Sequence, residues 1–257
     1  MLALDSRSAH GSAALWRDGR VVDLRPADPG RGFSAQLPEL LLDLLAGHGL
    51  ALSDVDVFAA CTGPGSLTGL RVGLATIQGL AFGTNRLVVG VSALESVAAD
   101  AMLRCPDDSS PGWVGAWLDA FRGEVFTALY RVDDRGRTWR ERLVEVEAPA
   151  VARPDEPAAR WAVTTAGAPG VVSGDPAGRS ALELALPGRA RFHDAGLLAG
   201  AVAALAAERA ADGEGVRPHA LHPLYVRRPD AETARERRLA SAGPQHAAVT
   251  PADRVEP

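Results

Sequence analysis

Lysine occurs nowhere in the 257 residues; all 27 Lys/Arg positions are arginine. A chain without lysine has no P-loop lysine for a nucleotide phosphate and no Schiff-base nucleophile. Cysteine is almost as scarce. Cys61 and Cys105 are too few for a disulfide scaffold, and no Cys-x-x-Cys pair exists for zinc or redox chemistry. No Gly-x-Ser-x-Gly nucleophile elbow is present. The opening Met1-Leu2-Ala3-Leu4-Asp5 has neither a basic region nor a long apolar run, so no signal peptide is expected. The longest apolar-rich stretch, residues 66–83, carries Arg71 and Gln78 and is short for a membrane span. The expectation is a cytoplasmic protein without a membrane partner. Positive charge is also in deficit, with a formal net charge of -5. Phosphate neutralisation supplies most autonomous nucleic-acid affinity, so this chain is not expected to grip RNA strongly by itself.

Hydrophobic residues make up 47% and charged residues 23%, which is enough apolar material for a sizeable core in an ordinary globular chain. Strands are predicted at 2–5, 11–16 and 21–24, the last two joined by a turn containing Asp18-Gly19, a strong hairpin signal. A helix follows over 34–47, with Ser34 as its cap and Pro38 tolerable in its first turn. Its residues Leu37, Leu40, Leu41, Leu44 and Leu45 form one apolar stripe, which Leu42 widens. Next come a buried strand at 55–61, a glycine-rich turn at 62–66, a second helix to Gly83, a strand at 87–91 and a helix at 93–103. The polar, Pro/Gly-rich stretch 106–112 marks a boundary. Strands then restart at 113–119 and 124–130, with another near 138–147. A weak helix at 154–162, a short strand at 171–173 and an Ala-rich helix at 195–211 complete the second half. The sequence therefore reads as an α/β protein with a first lobe over 1–106 and a second over 107–228. The helix 195–211 is expected to pack back on the first lobe, and 229–257 reads as a disordered tail.

The stretch from Thr62 to Gly83 carries most of the information. Its front, with Gly63, Gly65 and Ser66, is a strand-to-helix turn. Such a turn either presents backbone N–H groups to a phosphate or simply uses glycine torsions to reverse the chain. Its body is apolar nearly all round, with Leu67, Leu70, Val72, Leu74, Ile77, Leu80 and Phe82. A helix of that kind is buried on more than one side, by the chain's own core or by another protein. The pairs Gly69–Gly73 and Gly79–Gly83, each four apart, permit close helix approach.

Several ordered motifs together carry a resemblance. They are the run from Gly63 to Gly73 (Gly-Pro-Gly-Ser-Leu-Thr-Gly-Leu-Arg-Val-Gly), followed by Gln78-Gly79-Leu80-Ala81; Gly90-Val91-Ser92-Ala93-Leu94-Glu95; Asp119-Ala120-Phe121-Arg122-Gly123-Glu124-Val125-Phe126; Ser173-Gly174-Asp175; and Pro223-Leu224-Tyr225-Val226-Arg227. Over residues 1 to about 228 the chain resembles the TsaB (YeaZ) family of tRNA threonylcarbamoyladenosine biosynthesis. It departs at Asp5-Ser6-Arg7-Ser8, where relatives tend to have Asp-Thr-Ser-Thr, and at Phe33-Ser34-Ala35, where His-Ser-Glu is common.

The resemblance implies an actin-like ATPase fold with two related lobes. It implies a non-catalytic subunit that activates a TsaD-like catalytic partner within an assembly that also holds a small TsaE-like ATPase, with tRNA bound only by the complex. It further implies a homodimer through the same helices when the partner is absent. No cofactor is expected here, because ATP and metal belong to the partner subunits, and no His-x-x-x-His metal motif stands near Glu95. The partner interface is expected at Leu37, Leu41 and Leu44 of the first helix and Leu70, Leu74 and Ile77 of the second. Any nucleotide contact would fall on Asp5, Gly63, Gly65 and Ser66. The alternative within the same fold is an ATP-dependent small-molecule kinase.

Overall fold

A computed structural model describes residues 1–8, 11–28, 33–105 and 110–227, with only the backbone of 33–35. The expected tail at 229–257 and the Ser34 cap lie outside what is described. Residues 1–226 form one compact unit built on two five-stranded sheets.

The first sheet takes β1 (Leu2–Asp5), β2 (Ser12–Arg17), β3 (Arg20–Pro26), β4 (Val57–Gly63) and β5 (Leu87–Ser92) in the order β3-β2-β1-β4-β5. The second takes β6 (Trp113–Asp119), β7 (Val125–Val132), β8 (Leu143–Ala152), β9 (Gly170–Gly174) and β10 (Ala190–Asp194) in the order β10-β9-β6-β7-β8. These are one topology used twice. Three antiparallel strands come first in each half, and two parallel strands are then added beside the first of them. The duplicated mixed sheet with interleaved helices is the actin-like fold.

Alternation along the strands sorts the helices into layers. Leu2 and Leu4 of β1 point to one face with Phe58, Ala60 and Val88. There they pack under α1 (Phe33–Ala46) and α2 (Leu67–Gly83). Ala3, Ala14 and Ala59 point to the other face. There α3 (Ala93–Arg104) and α7 (Ala199–Ala211) fill the space between the sheets, against Val114, Ala116, Leu118 and Ala128 of the second. The small side chains on the inner faces let both helices lie close to both sheets. On the far side, Trp113, Trp117, Val125 and Leu129 pack under α5 (Asp155–Thr164) and α6 (Arg179–Ala185). The helical turn α4 (Trp139–Arg142) leads into β8.

The Asp18-Gly19 hairpin forms as expected, with both residues at positive φ (53° and 79°), the backbone a tight two-residue turn requires. Pro38 stands in the second turn of α1 rather than the first, where it removes only the hydrogen bond to the Ser34 carbonyl. The strand expected near 138–147 begins at Leu143. Thr138 caps α4 by accepting from the Glu141 N–H, and that turn takes the preceding residues. The helix expected from 195 starts at Ala199.

Candidate interaction surface and the cleft between the sheets

The six side chains expected to meet a partner face inward. Leu37, Leu41, Leu44, Leu70, Leu74 and Ile77 are all at most 3% exposed, packed on Leu2, Leu4 and Phe58 of the first sheet. They hold α1 and α2 onto their own sheet. What the two helices leave uncovered is a different set.

On α2 the row Thr68, Arg71, Ala75, Gly79 and Phe82, spaced by three or four, points outward. Phe82 is 79% exposed, and Leu67 at the start of the helix and Leu42 on α1 are also exposed. Partly covered Val72, Thr76 and Leu80 flank the row. The Thr76 hydroxyl donates to the Val72 carbonyl (2.9 Å), so its polarity is already used within the helix.

The two glycine pairs do different jobs. A methyl group at Gly69 would come within 2.4 Å of the Ser6 carbonyl, and one at Gly73 within 1.9 Å of Ser6 Oγ. These glycines let α2 touch the segment after β1. A methyl group at Gly79 or Gly83 would meet nothing within 4 Å. That pair leaves an open, shallow track on the outward side. The spacing of Ala75, Gly79 and Gly83 was the sequence signal for this face. The leucine periodicity marked the opposite one.

A strap of residues 216–226 runs along the flank of α2. Val216 bridges Val88, and Gln78 Nε2 donates to the carbonyls of Pro218 (2.7 Å) and Leu221 (2.9 Å). The Leu224 N–H donates to the Thr62 carbonyl (2.8 Å), and Arg71 Nε donates to the Tyr225 hydroxyl (3.3 Å).

Asp5 and the glycine turn meet at the ends of β1 and β4, around Arg7. Arg7 is 7% exposed and lies between two carboxylates, with Nε 3.6 Å from Asp5 and Nη1 3.8 Å from Asp175 at the end of β9. Its N–H donates to Asp5 Oδ1 (3.0 Å), and its carbonyl accepts from the Ser66 N–H (2.8 Å). A methyl group on Gly65 would lie 2.7 Å from Arg7 Cβ. Ser66 Oγ accepts from the Gly69 N–H (3.3 Å), closing the first turn of α2. Gly63 is at positive φ (105°) beside a cis bond to Pro64. Burial pushes the Asp5 carboxyl above its ordinary range, and the Arg7 guanidinium pulls it back down. Burial and the neighbouring Asp5 likewise push the Cys61 thiol upward.

The turn packs against this chain's own backbone, with Gly65 and Ser66 lying directly against Arg7. The sequence marks Arg7 only as part of a departure from the family pattern, not as the residue around which Asp5 and the glycine turn gather. Its partner Asp175 is remote along the chain, and only the tertiary fold brings them together.

Asp119 also has a structural task. Its Oδ1 accepts from the Phe121 N–H (2.7 Å), while its own N–H donates to Asp175 Oδ2 (3.0 Å). That pairing holds Phe121 and Arg122 at positive φ at the tip of the β6–β7 hairpin. Among the described residues no group of three or more His, Cys, Asp or Glu side chains could hold a metal ion, and no helix is long and apolar enough to cross a membrane.

Residues 24–157, just over half of the chain, match the family model described as TsaD, tRNA N6-adenosine threonylcarbamoyltransferase. The chain is 35% identical over 139 residues to the tRNA threonylcarbamoyladenosine biosynthesis protein TsaB of Escherichia coli K12, covering 53% of this chain and 57% of that protein. It spans about half the length of the curated TsaB relatives it matches. Two solved Pseudomonas aeruginosa structures are similar over nearly their whole length. One, an uncharacterised protein with similarity to peptidase YEAZ, has a TM-score of 0.73 at 32% identity, covering 88% of this chain and 98% of that one. The other, YeaZ, has a TM-score of 0.71 at 31% identity, covering 87% and 98%.

Proposed function

Since this chain belongs to the TsaB (YeaZ) family, we propose that it is a non-catalytic partner subunit in tRNA threonylcarbamoyladenosine biosynthesis, docking a TsaD-like catalytic subunit through the outward face of α1 and α2. The observation that carries this reading is the chemistry of that face. A seventeen-residue helix exposes Phe82 and a track of small residues, and it holds one charged side chain, Arg71. An ordered apolar face of this kind is usually covered in the working assembly. The open glycines suit helix-on-helix contact, so a bundle of α1, α2 and two partner helices is the natural packing.

In this reading the TsaD-like subunit transfers threonylcarbamoyl to the adenosine beside the anticodon. A TsaE-like ATPase completes the assembly, and tRNA is held by the complex in the cytoplasm. The turn packed against Arg7 supports a scaffolding rather than a phosphoryl-transfer role for this subunit, and speaks against an ATP-dependent kinase.

The test is titration of the purified chain into the TsaD-like subunit of the same genome. A stoichiometric complex is expected. Phe82→Asp is the informative variant because the side chain already faces water, so the fold is spared. Binding should weaken by about 2 kcal/mol or more if Phe82 is a buried anchor of the interface. Unchanged affinity would reject this face.

A further inference from the structure

Arg71 is the only charged residue among the seventeen of α2, and it points outward from the middle of an apolar surface. It makes no ion pair among the described residues. Its Nε is nevertheless fixed, because it donates to the hydroxyl of Tyr225 (3.3 Å). That contact engages Nε and leaves the two Nη groups available to an incoming acceptor. A guanidinium fork is the geometry that receives a carboxylate through two parallel hydrogen bonds.

The strap that supplies Tyr225 is itself ordered at a cost. Fixing a residue's backbone costs conformational entropy. At its first end the strap recovers this by burial. Leu221 enters the core beneath α2, in space left by Gly90. At the second end it does not. The Leu224 N–H is pinned to Thr62, yet the Leu224 and Tyr225 side chains are 40% and 46% exposed. Two ordered, uncovered apolar side chains thus stand beside an oriented, unpaired arginine, on the flank of the face assigned to docking. Tyrosine and arginine are the residue types that most often dominate binding when water is excluded around them.

We propose that Arg71, oriented by Tyr225, is a specificity determinant of this docking face, selecting a partner helix that sets a carboxylate opposite α2 and apolar side chains over Leu224 and Tyr225. The proposal rests on the docking reading above and adds the chemistry of the occupant. The occupant proposed is the TsaD-like subunit of the docking reading; a second copy, whose α1 carries exposed Glu39 and Asp43, is the competing occupant that the test separates.

The test measures affinity and association rate for the same TsaD-like subunit at low and high salt, with the full chain and five variants. Arg71→Glu should weaken binding about 100-fold, since it turns an attraction into a repulsion on a desolvating surface. Arg71→Lys keeps the charge but loses the fork, and should weaken binding about tenfold. Tyr225→Phe removes only the hydroxyl that aims Arg71, and a loss of about threefold to tenfold is expected from one hydrogen bond. The association rate should fall with salt for the unaltered chain and lose most of that dependence in Arg71→Leu, a readout that a merely structural role would not move. Replacing the opposing partner carboxylate by arginine should restore binding to the Arg71→Glu chain. Unchanged binding by Arg71→Glu while Phe82→Asp abolishes it would overturn this proposal and leave the docking face standing. Unchanged binding by both would remove the docking face and this proposal with it. Loss of self-association in Arg71→Glu with the complex intact would make a second copy the occupant, which also overturns it.

Discussion

The two halves of the molecule use the same strand order, yet they finish the outer side of their sheets differently. On the first sheet, α1 and α2 run for 14 and 17 residues, held by buried leucine and isoleucine side chains that include Leu45. On the second, α5 and α6 run for 10 and 7 residues, held by Trp161, Leu182 and Leu186 against Trp113 and Trp117. The outward surface of the shorter pair carries Asp155, Glu156, Arg160, Arg179 and Glu183. The apolar residues it exposes, Val163 (79%) and Leu184 (84%), stand singly among these charges, as on any soluble surface. On α2 the exposed apolar residues fall in a row with glycines and one arginine. The same scaffold thus carries a helix pair with a charged outward surface on one side and a pair with a largely uncharged, small-residue outward row on the other, the face proposed for docking.

The comparison can be broken at several points, beginning with the inward side of α2. Leu74→Asp places an unpartnered charge in the first half's own core and should cost about 4 kcal/mol or more, so this variant should unfold rather than report on docking. Circular dichroism and urea unfolding would decide; a folded Leu74→Asp chain would mean the helix is not seated as described.

The glycine pairs give a sharper contrast. Gly73→Ala meets Ser6 Oγ and should destabilise by about 1–3 kcal/mol. Gly79→Ala meets nothing and should stabilise the isolated chain by about 0.5–1 kcal/mol through helix propensity, while weakening the complex by crowding the track. Opposite signs for stability and binding at Gly79 would separate the two roles of one residue. Equal signs would deny the track a role.

In the second half, Val163→Asp and Leu184→Asp should change neither stability nor binding beyond about 0.5 kcal/mol. A loss of binding there would assign the wrong helix pair.

A pH-dependent effect is expected in the cleft. Burial raises the Asp5 carboxyl in the folded chain, so the fold takes up this proton more readily than the unfolded chain does. That contribution is fully present below the unfolded value of about 3.9 and fades as pH rises through the folded value. Relative to Asp5→Asn, the unaltered chain should gain stability as pH falls from neutral toward about 4, read by urea unfolding across that range. A pH-independent difference would contradict the burial effect.

The sequence already held much of this. The Asp-Gly hairpin, the strands β4 and β5 and the long helices carry strong local patterns, and they form close to where those patterns place them. The second half was less legible, because α6 and β10 are too short to show a period and rest on Leu182, Leu186 and neighbouring strands for their definition. The six leucine and isoleucine side chains expected at a partner interface are instead buried against the first sheet, and a different set of α1 and α2 residues faces outward. A leucine stripe reports where a helix meets its own sheet, and an outward face of glycine, alanine and one phenylalanine leaves a faint hydrophobic signal. The candidate nucleotide residues do converge in space. What they converge on is Arg7, whose second partner comes from the other half of the chain.

The division between a covered and an uncovered helix pair is tested most directly by thiol protection. Ala75→Cys and Val163→Cys can each be made in a Cys105→Ser background, since Cys61 is buried. Alkylation of each is then followed with and without the TsaD-like subunit. Protection of the Ala75→Cys thiol by more than about tenfold, with Val163→Cys unaffected, is the expected result, because interface cores exclude water. A complex that forms while the Ala75→Cys thiol stays fully reactive would contradict it.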